Sequence, residues 1–201
     1  MKFGVILPSY LPQATVEGLR QAAVEAEQLG YDSIWTTDHV MTDQASLAPY
    51  HSVYEALSTI AWLAGVTSSI KLGVSVVILA QRQPVLVAKE IATIDRLCGG
   101  RFILGVGTGW CDEEFGYLNA DFHRRGRVLD EGIRVLRQLW SEPDKPFHGR
   151  FFNFENQAFA PGPVQPGGPP IWVGGPSDAA LKRAATLGDG WHSTRITPEE
   201  F

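Results

Sequence analysis

The chain has 201 residues, 44% of them hydrophobic and 19% charged, the composition of a soluble globular domain long enough to bury a sizeable core. A net charge of −5 argues against nucleic acid or an anionic membrane as a partner, and no apolar run approaches transmembrane length. Two cysteines, Cys98 and Cys111, give neither a disulfide framework nor metal-ligand spacing, so reduced thiols in a cytoplasmic protein are expected.

The opening MKFGVILPSY has too short an apolar run for a signal peptide and predicts a first strand over Phe3 to Leu7. Thr15 can cap a helix with Val16, Leu19, Ala22, Ala23, Ala26 and Leu29 on its apolar face and Gly30 as its stop. Ser33 to Thr36 predicts a second strand, leading to Asp38 and His39. A helical pattern covers Val53 to Val66, and the β-branched run Lys71 to Leu79 predicts a third strand. Pro84 suits the first turn of a helix whose inner face is Val87, Ile91 and Ile94. Phe102 to Val106 is a fourth strand, and Val128 to Trp140 a helix beyond it.

Pro143 to Pro170 breaks the rhythm with seven prolines around FFNF, and predicts a small hairpin plus an irregular excursion lying against the domain. Ile171 to Val173 and Gly190 to Ser193 predict two further strands, separated by a helix with Ala180, Leu181, Ala184 and Leu187 inward. Thr197-Pro198-Glu199-Glu200 has the form of a capping box at a helix start. Alternating strands and helices imply parallel strands with crossover helices. Six strands are expected, against the eight of a closed barrel that takes about 250 residues. A complete, open, doubly wound sheet is the rival architecture.

Three places carry candidate chemistry at predicted strand ends, where ligands of parallel sheets sit. In GRFILGVGTGWCDEE, Gly105, Gly107 and Gly109 strip side chains from a strand end, so that a backbone or a flat ligand can approach closely. The spacing is not that of a dinucleotide fingerprint. Asp38-His39 offers a proton donor or acceptor near neutral pH. The turn Gly174, Gly175, Ser177, Asp178 precedes a helix and could hold an anion or simply cap it. His51, His123, His148 and His192 show no metal spacing and read as structural or surface residues.

RFILGVGTGW followed by EEF, then RGR, DEGIRVLRQLW, PPIWVGG and LGDGW, run in this order along the chain. In these motifs the whole chain resembles the luciferase-like monooxygenase superfamily, and within it the branch using the deazaflavin coenzyme F420. The resemblance implies a (β/α)8 TIM-barrel type, incomplete at about six strands, in a single domain over 1–201. It implies an oxidoreductase moving hydride between F420 and a small-molecule organic substrate, as a homodimer. The alternatives it leaves are an FMN-dependent monooxygenase of the same superfamily, and a non-catalytic flavin-binding protein or inactive fragment.

By the same resemblance His39 is the catalytic acid/base and Asp38 a cofactor ligand. Ser75-Val76 forms a non-proline cis peptide, a bulge backing the cofactor ring. Thr108, Gly109 and Glu113 fall near cofactor contacts, and Gly174, Gly175, Ser177 and Asp178 near its phosphate-bearing tail. Trp110 stands where the F420-dependent sugar-phosphate dehydrogenases carry a Glu. This departure speaks against sugar-phosphate oxidation and suits an apolar pocket wall.

Overall fold

A computed structural model describes residues 2–10, 14–42, 50, 52–193 and 197. In chain order they form β1 (Gly4–Ile6), α1 (Val16–Gln28), β2 (Ser33–Thr36), α2 (Ala56–Val66), β3 (Lys71–Ile78), α3 (Pro84–Leu97) and β4 (Phe102–Gly107). Then come α4 (Asp112–Tyr117), α5 (Arg125–Ser141), β5 (Phe147–His148), β6 (Asn153–Phe154), β7 (Ile171–Gly174), α6 (Asp178–Leu187) and β8 (Gly190–His192). The helix start expected at 197–200 lies outside the described residues, apart from Thr197, as does His51.

One sheet has the order β1-β2-β3-β4-β7-β8 with every pairing parallel. The sheet curls. Trp35 on β2 and Trp172 on β7 have ring centroids 5.4 Å apart, although β3 and β4 lie between their strands. A flat sheet would hold strands three places apart at roughly 14 Å. Six parallel strands, curled and joined by outer helices, make an arc of a (β/α)8 barrel rather than an open doubly wound sheet.

The core lies between the arc and its helices. Ile34, Leu72, Leu104 and Ile171 on four adjacent strands are fully buried, and Leu19, Ile60, Leu63, Ile91, Ile133 and Leu136 meet them from the helices. Helix starts follow local chemistry. Thr15 accepts the Gly18 N–H and Ser177 accepts the Ala180 N–H, each satisfying a donor that the helix itself cannot. Helix α2 begins later than its apolar pattern suggests, at Ala56, because the Glu55 carboxylate caps it through the Ser58 N–H. On α6 the expected inward Leu181 is exposed, and Arg183 is buried instead, paired with Asp130 of α5. Val16 and Leu29, at the two ends of the α1 pattern, are also exposed.

The proline-rich stretch is anchored by carboxylates. Glu131 accepts N–H groups from Arg150, Phe151 and Phe152 at 2.7–3.0 Å, and these lie in the connection between the antiparallel strands β5 and β6. Buried Asp95 accepts from the Val164 and Gln165 backbones and from the Gln165 side chain. Phe147, Phe152, Phe154 and Phe159 pack on the core, which places the excursion against the domain.

Candidate functional site

The strand pairing slips once in the sheet, between Val74 and Val77, where β3 bulges against β4. The Ser75–Val76 peptide in that bulge is cis. The bulge explains the neighbouring glycines. A Cβ on Gly105 would stand 2.1 Å from the Val74 carbonyl oxygen, and one on Gly107 would stand 2.4 Å from a Val76 methyl. A Cβ on Gly174, at the end of β7, would also meet Val76 at 2.8 Å. The alternate glycines of β4 therefore make room for the chain's own bulge. Gly109 differs: its φ of +75° lies in the left-handed region, where glycine is favoured.

A cavity of about 300 Å³ opens above the bulge, at the carboxyl ends of the strands. Of the residues expected in a site, Asp38, His39, Ser75, Val76, Thr108, Gly109, Trp110, Gly174 and Gly175 line it. Three do not. Glu113 is exposed on α4, with the Cys111 thiol beside it. Ser177 is committed to capping α6, and Asp178 is exposed in its first turn. Neither of the last two faces the cavity.

The reason Glu113 falls away is helical phase. In the first turn of α4 Asp112 and Glu113 point to solvent, while Glu114 points inward and is completely buried. Its Oε2 lies 3.0 Å from His39 Nδ1, and its Oε1 accepts the Val40 N–H at 2.6 Å. Burial alone would raise the Glu114 pKa. The hydrogen bonds from His39 and the Val40 backbone outweigh it and hold the carboxyl below its ordinary range. The His39 ring, 6% exposed, sits 4.7 Å from Tyr50 and edge-on to Trp110 at 5.6 Å.

Asp38 is buried and fully engaged. One oxygen accepts from Arg82 Nη2 at 2.6 Å, and the other accepts the Ile78 N–H at 2.9 Å, just beyond the bulge. Burial pushes its carboxyl up, against the pull of the Arg82 guanidinium. Arg82 also reaches Glu55 at 3.1 Å. Asp38 thus ties the end of β2 to the bulge, and its side chain acts on protein groups.

His192, expected at the surface or in a purely structural place, borders the cavity from the end of β8. Its Nε2 lies 2.6 Å from Ser75 Oγ, and its ring is 5.3 Å from Trp35. Burial lowers its pKa, favouring the neutral imidazole. Position alone could have found it: the Gly190–Ser193 strand end faces the same way as Asp38-His39. For Glu114 the available signal was the inward phase of a helix starting at Asp112. Arg82 carried no signal, because its partner is 44 residues away.

Among the described residues no group of three or more His, Cys, Asp or Glu could hold a metal ion, and no helix is long and apolar enough to cross a membrane. Both cysteines are free and buried.

Fold and site define a class: a parallel α/β barrel architecture whose pocket at the strand ends combines an apolar floor at Val76 with a polar rim. The profile of the luciferase-like monooxygenase family matches residues 1–201, and the chain belongs to that family. It is 34% identical over 183 residues to the F420-dependent glucose-6-phosphate dehydrogenase of Kineococcus radiotolerans, covering 88% of this chain and 52% of that one. It is 32% identical over 199 residues to the FMNH(2)-dependent dimethylsulfone monooxygenase of Pseudomonas fluorescens, covering 95% and 52%. The chain thus spans about half the length of these curated relatives. Among solved structures, the monooxygenase RslO1 from Streptomyces bottropensis superposes with a TM-score of 0.85 at 24% identity, over 100% of this chain and 62% of that one. Family members are oxidoreductases and monooxygenases that use F420 or FMN.

Proposed function

We propose that this chain is an oxidoreductase that moves hydride between coenzyme F420 and a small organic substrate. The observation that carries the reading is that His39 and the Val76 bulge line one cavity at the strand ends. The cavity fits one face of a flat ring system. Its floor is the apolar Val76 side chain, and polar atoms of Ser75, Thr108 and His39 stand around it. About 300 Å³ is the lower limit for small-molecule sites, suited to a ring rather than to a whole cofactor. When bound, the cofactor supplies the two-electron chemistry. His39 takes the substrate hydroxyl proton on oxidation and returns it on reduction. Gly174 and Gly175 also line the cavity and would be the residues beside the cofactor tail.

Trp110 narrows the substrate class. The F420-dependent sugar-phosphate dehydrogenases that the chain resembles have a carboxylate there, and an indole cannot serve as a carboxylate base. Trp110 instead offers an apolar wall beside His39. We therefore assign a substrate different from that named for the Kineococcus relative.

A homodimer in the cytoplasm is part of this proposal. The FMN reading is the second, supported by the Pseudomonas relative. Titration of the purified chain with F420 and with FMN, each followed by cofactor fluorescence, separates them. Saturable F420 binding with weak FMN binding supports the first. Tight binding of FMN alone replaces it with the second. Binding of neither by the folded chain defeats both.

A further inference from the structure

His39 has two ring nitrogens, and only one can hold the proton when the ring is neutral. Which one holds it decides what the cavity meets. Glu114 belongs to a different segment, 75 residues along the chain, yet it is fully buried against this ring. Its second oxygen is fixed by the Val40 N–H, so the carboxylate cannot swing away. The pairing holds Glu114 ionised, and an ionised carboxylate can only accept hydrogen bonds. The proton in the contact with Nδ1 therefore sits on Nδ1. Tyr50 and Trp110 confine the ring on two sides and oppose a flip.

We propose that Glu114 is a positioning residue that locks neutral His39 as the Nδ1–H tautomer, presenting the bare Nε2 lone pair to a substrate hydroxyl. The catalytic use of that lone pair rests on the oxidoreductase reading above; the tautomer itself does not. In the oxidative direction Nε2 would take the substrate O–H proton as the C–H bond gives up its hydride and the C–O bond becomes C=O, the cofactor supplying the two-electron acceptor when bound. His39 becomes doubly protonated, and its new charge is next to the Glu114 carboxylate. The fixed carboxylate holds the first proton at Nδ1 and so leaves Nε2 as the nitrogen that takes the second.

The test is the tautomer, read by long-range ¹H–¹⁵N correlation on the ¹⁵N-labelled full chain without cofactor, at a pH of about 9 where histidines are neutral. His39→Gln identifies the signal. The expected result in the unsubstituted protein is a protonated-type shift at Nδ1 and an unprotonated one at Nε2. In Glu114→Gln the amide can donate to Nδ1, and the pattern should reverse. A proton on Nε2 in the unsubstituted protein, or an unchanged pattern in a folded Glu114→Gln protein, overturns the proposal. The first arm needs no variant at Glu114, so it stands even if Glu114→Gln fails to fold. If the chain binds F420 or FMN, turnover adds a second reading. Glu114→Gln should lower kcat about 10²-fold while cofactor affinity holds. An unchanged kcat would overturn the positioning role. Failure of the oxidoreductase reading itself shows separately, as absence of cofactor binding with the tautomer intact.

Discussion

Two sets of carboxylates hold this molecule, and they differ in what they hold. On the flanks of the arc, Glu27, Asp95 and Glu131 collect backbone N–H groups of a connecting segment: 68–70, 164–165 and 150–152. At the strand ends, Asp38 and Glu114 each combine backbone N–H donors with one ionisable side chain, Arg82 and His39. The first kind replaces the hydrogen bonds a loop would otherwise make with water. The second spends a buried charge on orienting another titratable group, the pattern of a site built for proton traffic. Substituting members of each set separates stability from chemistry.

The largest expected effect is on turnover. His39→Ala removes the acid/base and should lower kcat by about 10²–10⁴-fold, while cofactor binding by fluorescence titration remains. Loss of cofactor binding in place of turnover would recast His39 as a ring-holding residue and erase the distinction between the two sets.

Next come the stability losses. Arg82→Ala leaves Asp38 buried without its countercharge and should cost about 3–4 kcal/mol in urea unfolding. Asp95→Ala strands two backbone donors and the Gln165 amide at a residue with no exposure, with an expected cost of about 3 kcal/mol. Asp95→Ala should leave cofactor affinity unchanged. Arg82→Ala should weaken it as well, because Asp38 would then release the backbone beside the bulge.

Much of this was legible from the chain, and the failures are physical. Phe3 to Leu7, Phe102 to Val106 and Ile171 to Val173 announce themselves as short apolar runs closed by Pro or Gly and Lys71 to Leu79 as a β-branched run, while Ser33 to Thr36 and Gly190 to Ser193 lack such a closure. His39 was found because it follows a strand directly, so one-dimensional position fixes its place in space. Glu113 and Glu114 are adjacent and chemically alike. Only the helical phase set by the start of α4 turns one to solvent and the other under His39. The glycines of β4 were legible as a bare surface, but not what covers it, since the Val76 bulge comes from another strand. Arg82 depends on a distant carboxylate, which no local pattern records, whereas His192 was open to position alone, at the end of a strand facing the same way as Asp38-His39.

The smallest expected effect tests the flank set by pH. The Glu27 carboxylate accepts the Ser68, Ser69 and Ile70 N–H groups and the Ser69 hydroxyl at the entry to β3. Partial burial works against ionisation, but these donors prevail and bring the pKa down to about 2 from 4.5. A folded-state pKa below the unfolded one means that the stabilisation is complete above about pH 4.5 and fades as pH falls toward 2. The whole gap would be worth ~3 kcal/mol, and contact with water reduces this to about 1–2 kcal/mol. Glu27→Gln should therefore be less stable by that amount at pH 7, and the two proteins should converge as the solution is acidified. Asp38 bears on the other set: its carboxyl is raised by burial, so protonation there would loosen Arg82 rather than a loop. A Glu27→Gln difference that stayed constant from pH 7 to about pH 2 would mean that the amide holds the segment equally well, and that the charge on this flank contributes nothing.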